Sequence, residues 1–178
     1  MTLLSPALPF TSPTMLAFTH GTNFGPLRLD DRTDPRFLRL ADYWSRLDAA
    51  QGGYPTRSEI DPTKIDRDLM SRLFIVDVVR EPEQRLRFRF RLLGQDILDL
   101  ERIRRGVFLD EIAKSPYGAE AQNHYEDAAN GVIRVRRSNL GWLREGLDSI
   151  SYSVLLLPLS DEGTVVTHLL GLCLYDKW

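Results

Sequence analysis

Two apolar runs near the C-terminus, residues 150–159 and 165–175, dominate the hydrophobic pattern of the chain. They are joined by Ser160-Asp161-Glu162-Gly163, turn residues that end in glycine, which predicts an antiparallel β-hairpin. The second run has almost no polar alternation, so we expect both of its faces to be covered and the strand to be central in a sheet. Residues 73–80 are predicted to be the strand on its other side.

A further strand is predicted at residues 86–93, after a turn that contains Pro82. Its apolar residues alternate with arginines, which is typical of a strand with one buried face. The apolar positions are Leu86, Phe88, Phe90 and Leu92. A more polar strand region is predicted over residues 132–136 and 140–143, with a bend at Asn139 or Gly141.

Three capping patterns predict helices. Asp34-Pro35 begins a helix over residues 35–50, because Asp is a good N-cap and Pro fits the first helical position. Asp61-Pro62 begins a short helix that runs to about Arg72. Between the second strand and Gly131 the pattern predicts several short helices, the longest from a Ser115 cap to Asn130.

Residues 1–33 are rich in Pro, Thr, Ser and Gly, so we expect a flexible N-terminal tail followed by one domain over residues 34–178. The 178-residue chain has a hydrophobic fraction of 43% and a net charge of −2, typical of a soluble globular protein without general attraction to nucleic acid. Its single cysteine, Cys173, excludes a disulfide framework, and no apolar run is long enough to cross a bilayer. No secretory signal is recognisable, so the expected location is the cytoplasm.

Three short motifs occur in order along the chain. They are Arg57-Ser58-Glu59-Ile60-Asp61-Pro62, Phe90-Arg91-Leu92-Leu93-Gly94, and Leu157-Pro158-Leu159-Ser160 with Gly163. Together they resemble a family of short bacterial PAS-like proteins, over about residues 36–175. The resemblance implies an α+β fold, a five-stranded antiparallel sheet with helices packed on one face and preceded by N-terminal helices. It also implies a sensory or protein-interaction module. Relatives in the wider superfamily bind haem, flavin or small metabolites between sheet and helices, and many bind nothing known.

A ligand pocket is expected between the sheet and the helices, because alternation places Phe88, Phe90 and Leu92 opposite the helix that carries Tyr125. Tyr152 and the central strand are expected to close this space, with Tyr and His side chains as its polar groups. The ligand-binding candidates are Phe88, Phe90, Leu92, Tyr125, Tyr152 and His168.

A cofactor-binding sensor is an alternative function, because haem iron needs a ligand such as histidine that faces a cavity. Either His124 or His168 could supply it, and the sequence names no particular cofactor. His168 and Cys173 lie five apart on one strand and so point to opposite faces, which predicts no metal site. Cys173 is expected to be a buried apolar residue, and without a nucleophile elbow, phosphate loop or dinucleotide fingerprint we expect no enzyme activity.

Arginines form two predicted clusters that could hold an anionic nucleotide or an acidic partner. The first contains Arg87, Arg89 and Arg91, and the second contains Arg102, Arg104, Arg105, Arg134, Arg136 and Arg137. A sheet face and edge protected by charge is the favoured alternative. Carboxylates on the predicted short helices are interpreted as solvated, namely Asp96, Asp99, Glu101, Asp110 and Glu111.

The sequence thus predicts a non-enzymatic PAS-like sensory or regulatory module that acts through protein–protein interaction, with or without a small ligand in its cavity. Its signalling partner is not identified by the sequence. A homodimer is also predicted, because the apolar stripe of the first helix needs cover beyond the expected core. The interface candidates are Phe37, Leu40, Tyr43, Trp44 and Leu47. A helix folded back on its own sheet in a monomer is the alternative.

Overall fold

The computed structural model describes residue 29 and residues 33–47, 53–113 and 118–176. The α-helices in these ranges are α1 (Pro35–Ser45), α2 (Gln95–Glu101), α3 (Leu109–Ile112) and α4 (Gly118–Ala129). The strands are β1 (Leu73–Arg80), β2 (Leu86–Leu93), β3 (Val135–Asn139), β4 (Ser151–Leu159) and β5 (His168–Tyr175). They form one antiparallel sheet in the order β2-β1-β5-β4-β3. The predicted five-stranded antiparallel sheet is confirmed.

The predicted C-terminal hairpin forms the centre of this sheet, although its connection is longer than predicted, residues 160–167, because β5 begins at His168 and not at residue 165. β4 pairs with β5 from Tyr152–Tyr175 to Leu159–His168, and β5 pairs on its other side with β1. Residues 168–174 of β5 are all buried, as expected for a strand whose two faces are both covered. The predicted central strand and its two neighbours are therefore confirmed.

The register assigns each side chain of the sheet to a face, because directly paired residues of antiparallel strands point the same way. Phe74, Gly171 and Leu156 lie on one face, here called the inner face, which is covered by α2 and α4. The opposite, outer face carries a set of leucines of β4 and β5 that are no more than 1% exposed. They are Leu155, Leu157, Leu159, Leu170 and Leu172.

Helix α1 covers the outer face. Phe37, Leu40 and Trp44 are at most 5% exposed, and the Trp44 Nε1 donates a hydrogen bond of 2.9 Å to the Pro158 carbonyl oxygen of β4. The Asp34 carboxylate accepts from the Arg36 backbone amide, so the predicted N-cap is confirmed. The apolar stripe is thus buried against its own chain, which removes the reason for which a second copy was predicted to cover it.

Helix α1 also ends earlier than predicted, at Ser45 rather than at residue 50, and residues 48–50 lie outside the described residues. The Ser45 hydroxyl donates to the Asp42 carbonyl oxygen at 2.8 Å, a local bond that competes with continuation of the helix.

Strand β2 contains a bulge that the alternation rule did not predict. Phe90 pairs with Val76, but Leu92 pairs with Ile75, so one extra residue is inserted in β2 at this point. The inserted residue reverses the alternation, which turns Leu92 to the outer face with 43% exposure and buries Leu93 instead. The prediction that Leu92 faces the cavity is wrong for this reason.

The predicted short helix over residues 62–72 is replaced by two 3-10 segments, Pro62–Lys64 and Arg67–Arg72. Between them Ile65 has extended backbone angles and is buried, because the chain leaves the helical path to place this side chain in the core. Asp61 nevertheless caps the first segment, and its carboxylate accepts from the Thr63 amide at 2.9 Å.

The region after α4 follows the predicted plan with a shift. Helix α4 ends before Gly131, whose φ of +86° is the left-handed conformation that glycine favours at a helix end. The predicted Ser115 cap lies outside the described residues. Strand β3 begins later than predicted, and residues 140–142, expected to be strand, form a 3-10 turn directly after Asn139, which is the last strand residue and keeps an extended backbone.

The predicted flexible tail, residues 1–33, lies outside the described residues except for Leu29 and Thr33, and Leu29 is buried in the core. Across the described ranges, every helix is too short or too polar to cross a lipid bilayer.

Candidate functional site

A narrow cavity lies between the inner face of the sheet and helices α2 and α4. The volume open to the centre of a water-sized sphere is about 30 Å³, room for a few waters or a very small molecule and well below the roughly 300–1,000 Å³ of typical ligand pockets. Its apolar walls are Phe74, Phe90, Leu93, Ile97, Ala121 and Val154. Its polar or aromatic-polar side chains are Glu101, His124, Tyr125, Arg136, Ser138, Trp142, Tyr152 and Cys173.

Packed aromatic rings form the wall on the β1–β2 side. The Tyr125 ring lies 5.3 Å from Phe88, 6.4 Å from Phe90 and 6.5 Å from Phe74, measured between ring centroids. Phe74 lies over Gly171 of the central strand, where a Cβ atom would be 2.1 Å from the ring. Glycine at this position is therefore what allows the ring to lie flat on the sheet beside the cavity.

Glu101, the last residue of α2, directs its carboxyl group into the cavity. Its Oε1 accepts a hydrogen bond of 2.5 Å from the Tyr175 hydroxyl and lies 3.9 Å from the Cys173 thiol sulfur. Burial raises the pKa of Glu101 to about 7, although the bonds from Tyr175 and Cys173 oppose this shift. No cation among the described residues forms an ion pair with it. The residue as a whole is partly exposed, but its carboxyl group is turned inward to Tyr175 and Cys173, so the interpretation of a solvated carboxylate is wrong.

Tyrosine hydroxyls and an indole form the other end of the polar lining. The Trp142 Nε1 donates to the Tyr152 hydroxyl oxygen at 2.8 Å. The Tyr125 hydroxyl has no hydrogen-bond partner in the described part of the chain, although the residue is only 7% exposed. Burial raises the pKa of both tyrosines above the ordinary value, so each hydroxyl keeps its proton at neutral pH.

His124 and Arg136 also line the cavity. His124 is 2% exposed, with Nε2 3.3 Å from the Arg134 carbonyl oxygen, and burial lowers its pKa to about 4, so the imidazole is neutral at pH 7. The Arg136 guanidinium is held by the Glu120 carboxylate at 2.6 Å. The lining therefore contains two ionisable groups that can carry charge at pH 7. They are the carboxyl group of Glu101 and the guanidinium of Arg136, which is paired with Glu120 outside the cavity.

The two histidines considered for haem are not placed for it. His168 lies on the outer face, opposite to Cys173 as predicted, and has no contact with the cavity. His124 directs Nε2 at a backbone carbonyl oxygen, and the cavity is far too small for a porphyrin in this conformation. The side chains present thus do not fit haem. The described residues also contain no group of three His, Cys, Asp or Glu that could hold a metal ion.

His168 belongs instead to a charged group on the outer face, centred on Asp77. The Asp77 carboxylate, 8% exposed, accepts hydrogen bonds from the guanidinium groups of Arg89 and Arg91 at 2.7 Å and 2.5 Å, and the His168 Nε2 lies 3.4 Å from it. Burial favours the neutral form of Asp77, but the bonds from the two arginines outweigh it and lower its pKa. One carboxylate thus holds two half-exposed guanidinium groups.

Four of the remaining arginines of the predicted clusters form ion pairs, namely Arg87, Arg134, Arg136 and Arg137. Arg87 donates to both oxygens of Asp110, at 2.8 Å and 2.9 Å, and its guanidinium lies 3.8 Å from the centre of the Phe108 ring. Asp110, interpreted from sequence as solvated, is therefore an ion-pair partner. Arg134 and Arg137 pair with separate carboxylates, whereas Arg102, Arg104 and Arg105 are exposed and form no ion pair with another described residue.

The ligand-binding candidates divide into three groups. Phe90, Tyr125 and Tyr152 line the cavity, and Phe88 supports it from behind through the Tyr125 ring. Leu92 and His168 lie on the other face of the sheet.

Glu101, His124, Trp142 and Cys173 line the cavity but were not among the candidates. Glu101 could have been predicted to line the cavity from its spacing in the sequence. It follows the buried Ile97 by four residues and therefore lies on the same face of α2.

In the comparison with known protein families, the family model described as PAS domain matches residues 32–174 of the chain. Neither the curated proteins nor the solved structures contain a match to this chain.

Proposed function

Because the chain belongs to the PAS domain family, whose members are generally non-enzymatic sensory modules, we propose that it senses a small polar molecule in the inner cavity and acts by association with a partner protein. The observation that carries this proposal is the convergence of Glu101, Tyr125 and Tyr152 on a cavity between the sheet and helices α2 and α4.

Stability alone does not favour this arrangement. A void of about 30 Å³ costs about 0.7 kcal/mol relative to a filled core. The larger cost is the Glu101 carboxyl group, whose raised pKa corresponds to about 3 kcal/mol when it is ionised. Polar groups with perturbed pKa values around a cavity are typical of binding sites, and a hydrogen-bonding ligand would offset both costs.

The outer face supports the second half of the proposal, association with a protein. Strand β5 directs Cys173 into the cavity and the neighbouring Leu172 and Leu174 to the outer face, so a ligand that moves this strand also moves the surface under α1. Beyond α1, the outer face presents Arg89, Arg91 and the exposed Leu92. Arginines next to an exposed apolar side chain suit a protein partner that carries carboxylates.

The proposal includes a homodimer formed along the edge of α1. Phe37, Leu40 and Trp44 are buried in their own chain, so the contact falls to Tyr43 and Leu47, which are half-buried and line a surface groove of about 530 Å³ with Ile65 and Leu69. Light scattering at micromolar concentration tests this. We expect a dimer mass for the natural chain and a monomer mass for Leu47→Glu, and a monomer for both would rule out the dimer.

The sensor proposal is tested on the full chain by native mass spectrometry, with the absorption spectrum of the same sample. We expect an added mass that is released on denaturation and is reduced in Glu101→Gln. Glu145→Gln is the matched control, because Glu145 is an exposed glutamate away from the cavity. An added mass that is equal in all three proteins would place the bound molecule elsewhere, and the absence of binding by any small polar molecule would refute the sensor.

A further inference from the structure

We infer that the inner cavity selects a small organic cation of the primary ammonium class, held with its charge against the carboxylate of Glu101. This inference rests on the proposed sensory function and adds the chemical class of the ligand.

The first argument is the unused capacity of the Glu101 carboxyl group. Both of its donors, the Tyr175 hydroxyl and the Cys173 thiol, bond to Oε1, and no described residue donates to Oε2. An ionised carboxylate accepts about four hydrogen bonds. The three N–H groups of an ammonium can reach Oε2 and the unpaired Tyr125 hydroxyl oxygen, both of which can act as acceptors.

The second argument is the aromatic wall. Phe74, Phe90, Tyr125, Trp142 and Tyr152 all line the cavity, and an aromatic ring attracts a cation that lies over its face. A carboxylate or phosphate ligand would meet these rings and the Glu101 carboxylate together. The charge pattern therefore disfavours the anionic class.

The positive groups of the lining do not reverse this preference. His124 is neutral at pH 7, because burial lowers its pKa to about 4. The Arg136 guanidinium is held at 2.6 Å by Glu120, and its side chain is 25% exposed, so it lies towards solvent with its charge compensated. Glu101 is the one carboxylate among the cavity-lining residues, and no cation among the described residues forms an ion pair with it.

The third argument concerns size. With about 30 Å³ open to the centre of a water-sized sphere, the cavity accepts a ligand of only a few non-hydrogen atoms without rearrangement. Methylammonium and ethylammonium are of this size, and aromatic or sugar-sized amines are not.

Proton linkage gives a signature that a neutral ligand does not share. An ammonium ion binds the ionised form of Glu101, whose pKa is about 7, so affinity should rise about tenfold from about pH 6 to about pH 8. Of the other groups that face Glu101, Tyr175, Cys173, Tyr125 and Tyr152 have raised pKa values and stay neutral. His124 remains neutral in this range, so Glu101 is the group of this set that titrates between these pH values.

The test is an NMR titration of the full chain with three probes of similar size, ethylammonium, ethanol and acetate, at both pH values. We expect ethylammonium to shift the amide signals of β5 and α4, with affinity about tenfold higher at the higher pH. In Glu101→Gln this affinity should fall at least tenfold and lose its pH dependence, whereas Glu145→Gln should behave as the natural chain. The same spectra show whether each variant is folded.

Each other outcome has one meaning. Tighter binding of ethanol or acetate than of ethylammonium would overturn the cation assignment and leave the sensory cavity in place. Ethylammonium binding that is unchanged in Glu101→Gln would also overturn it. No shift at the cavity with any of the three probes would overturn the ligand class, and an added mass in native mass spectrometry of the same protein would then still support the sensory cavity.

Discussion

The pH dependence of stability provides a direct test of the buried position of Glu101. In the unfolded chain its carboxyl group has the ordinary pKa of 4.5, and in the folded protein burial raises that pKa to about 7. The folded state therefore binds the proton more tightly, and its advantage is fully present below about pH 4.5 and is lost as the pH rises through about 7. The difference corresponds to about 3 kcal/mol. Replacement of Glu101 by Gln removes the ionisation and keeps an oxygen that accepts from Tyr175.

We therefore expect Glu101→Gln to have nearly the stability of the natural chain at about pH 4.5 and to exceed it by up to about 3 kcal/mol at about pH 8. Urea unfolding measured at several pH values gives this difference, and titrations common to both proteins cancel in it. Glu145→Gln, with an exposed glutamate changed, should show a small and flat difference. A Glu101→Gln profile parallel to that of the natural chain would show that this carboxyl group is solvated in the folded protein.

Three further changes test the fold around the site by urea unfolding. Gly171→Ala should cost about 1–3 kcal/mol, because the new Cβ atom would lie 2.1 Å from the Phe74 ring; a neutral effect would mean that this ring does not lie on the strand. Asp77→Asn should cost about 2 kcal/mol near pH 7 by removing a carboxylate bound by two arginines, and because the pKa of Asp77 is lowered from 3.8, the difference should begin to fall below about pH 4 and vanish only below the lowered pKa. Asp61→Ala should cost about 1 kcal/mol by leaving the Thr63 amide without its cap, and Asp61→Asn should retain most of that stability.

The sheet could be predicted because its signals are local. The β4–β5 hairpin follows from two apolar runs around a glycine turn, and the central position of β5 follows from the lack of polar residues on either face. The cap residues Asp34 and Asp61 were predicted for the same reason, since each acts on an amide two residues away.

Features that depend on pairing between distant segments could not be predicted. The bulge in β2 is set by its register with β1, and nothing in the sequence of β2 alone marks the inserted residue. It reverses the orientation of Leu92, as a one-residue change of register does for every following side chain. The sequence of β5 alone does not show which face of the sheet His168 lies on, and it was assigned to the cavity face. Its position on the outer face follows from its pairing with Asp77 of β1, which lies 91 positions upstream in sequence.

Glu101 shows how the two kinds of information combine at the site. Local pattern assigns a charged residue at the end of a short helix to solvent, yet its spacing from Ile97 assigns it to the buried face, and the two conflict. Tertiary structure decides for burial, because Cys173 and Tyr175, more than 70 residues away, supply the donors and the cavity supplies the space. A residue whose local and tertiary preferences disagree is kept at a cost in stability. The size of that cost, about 3 kcal/mol for the ionised carboxylate, is the physical reason to look for the function of this domain at Glu101.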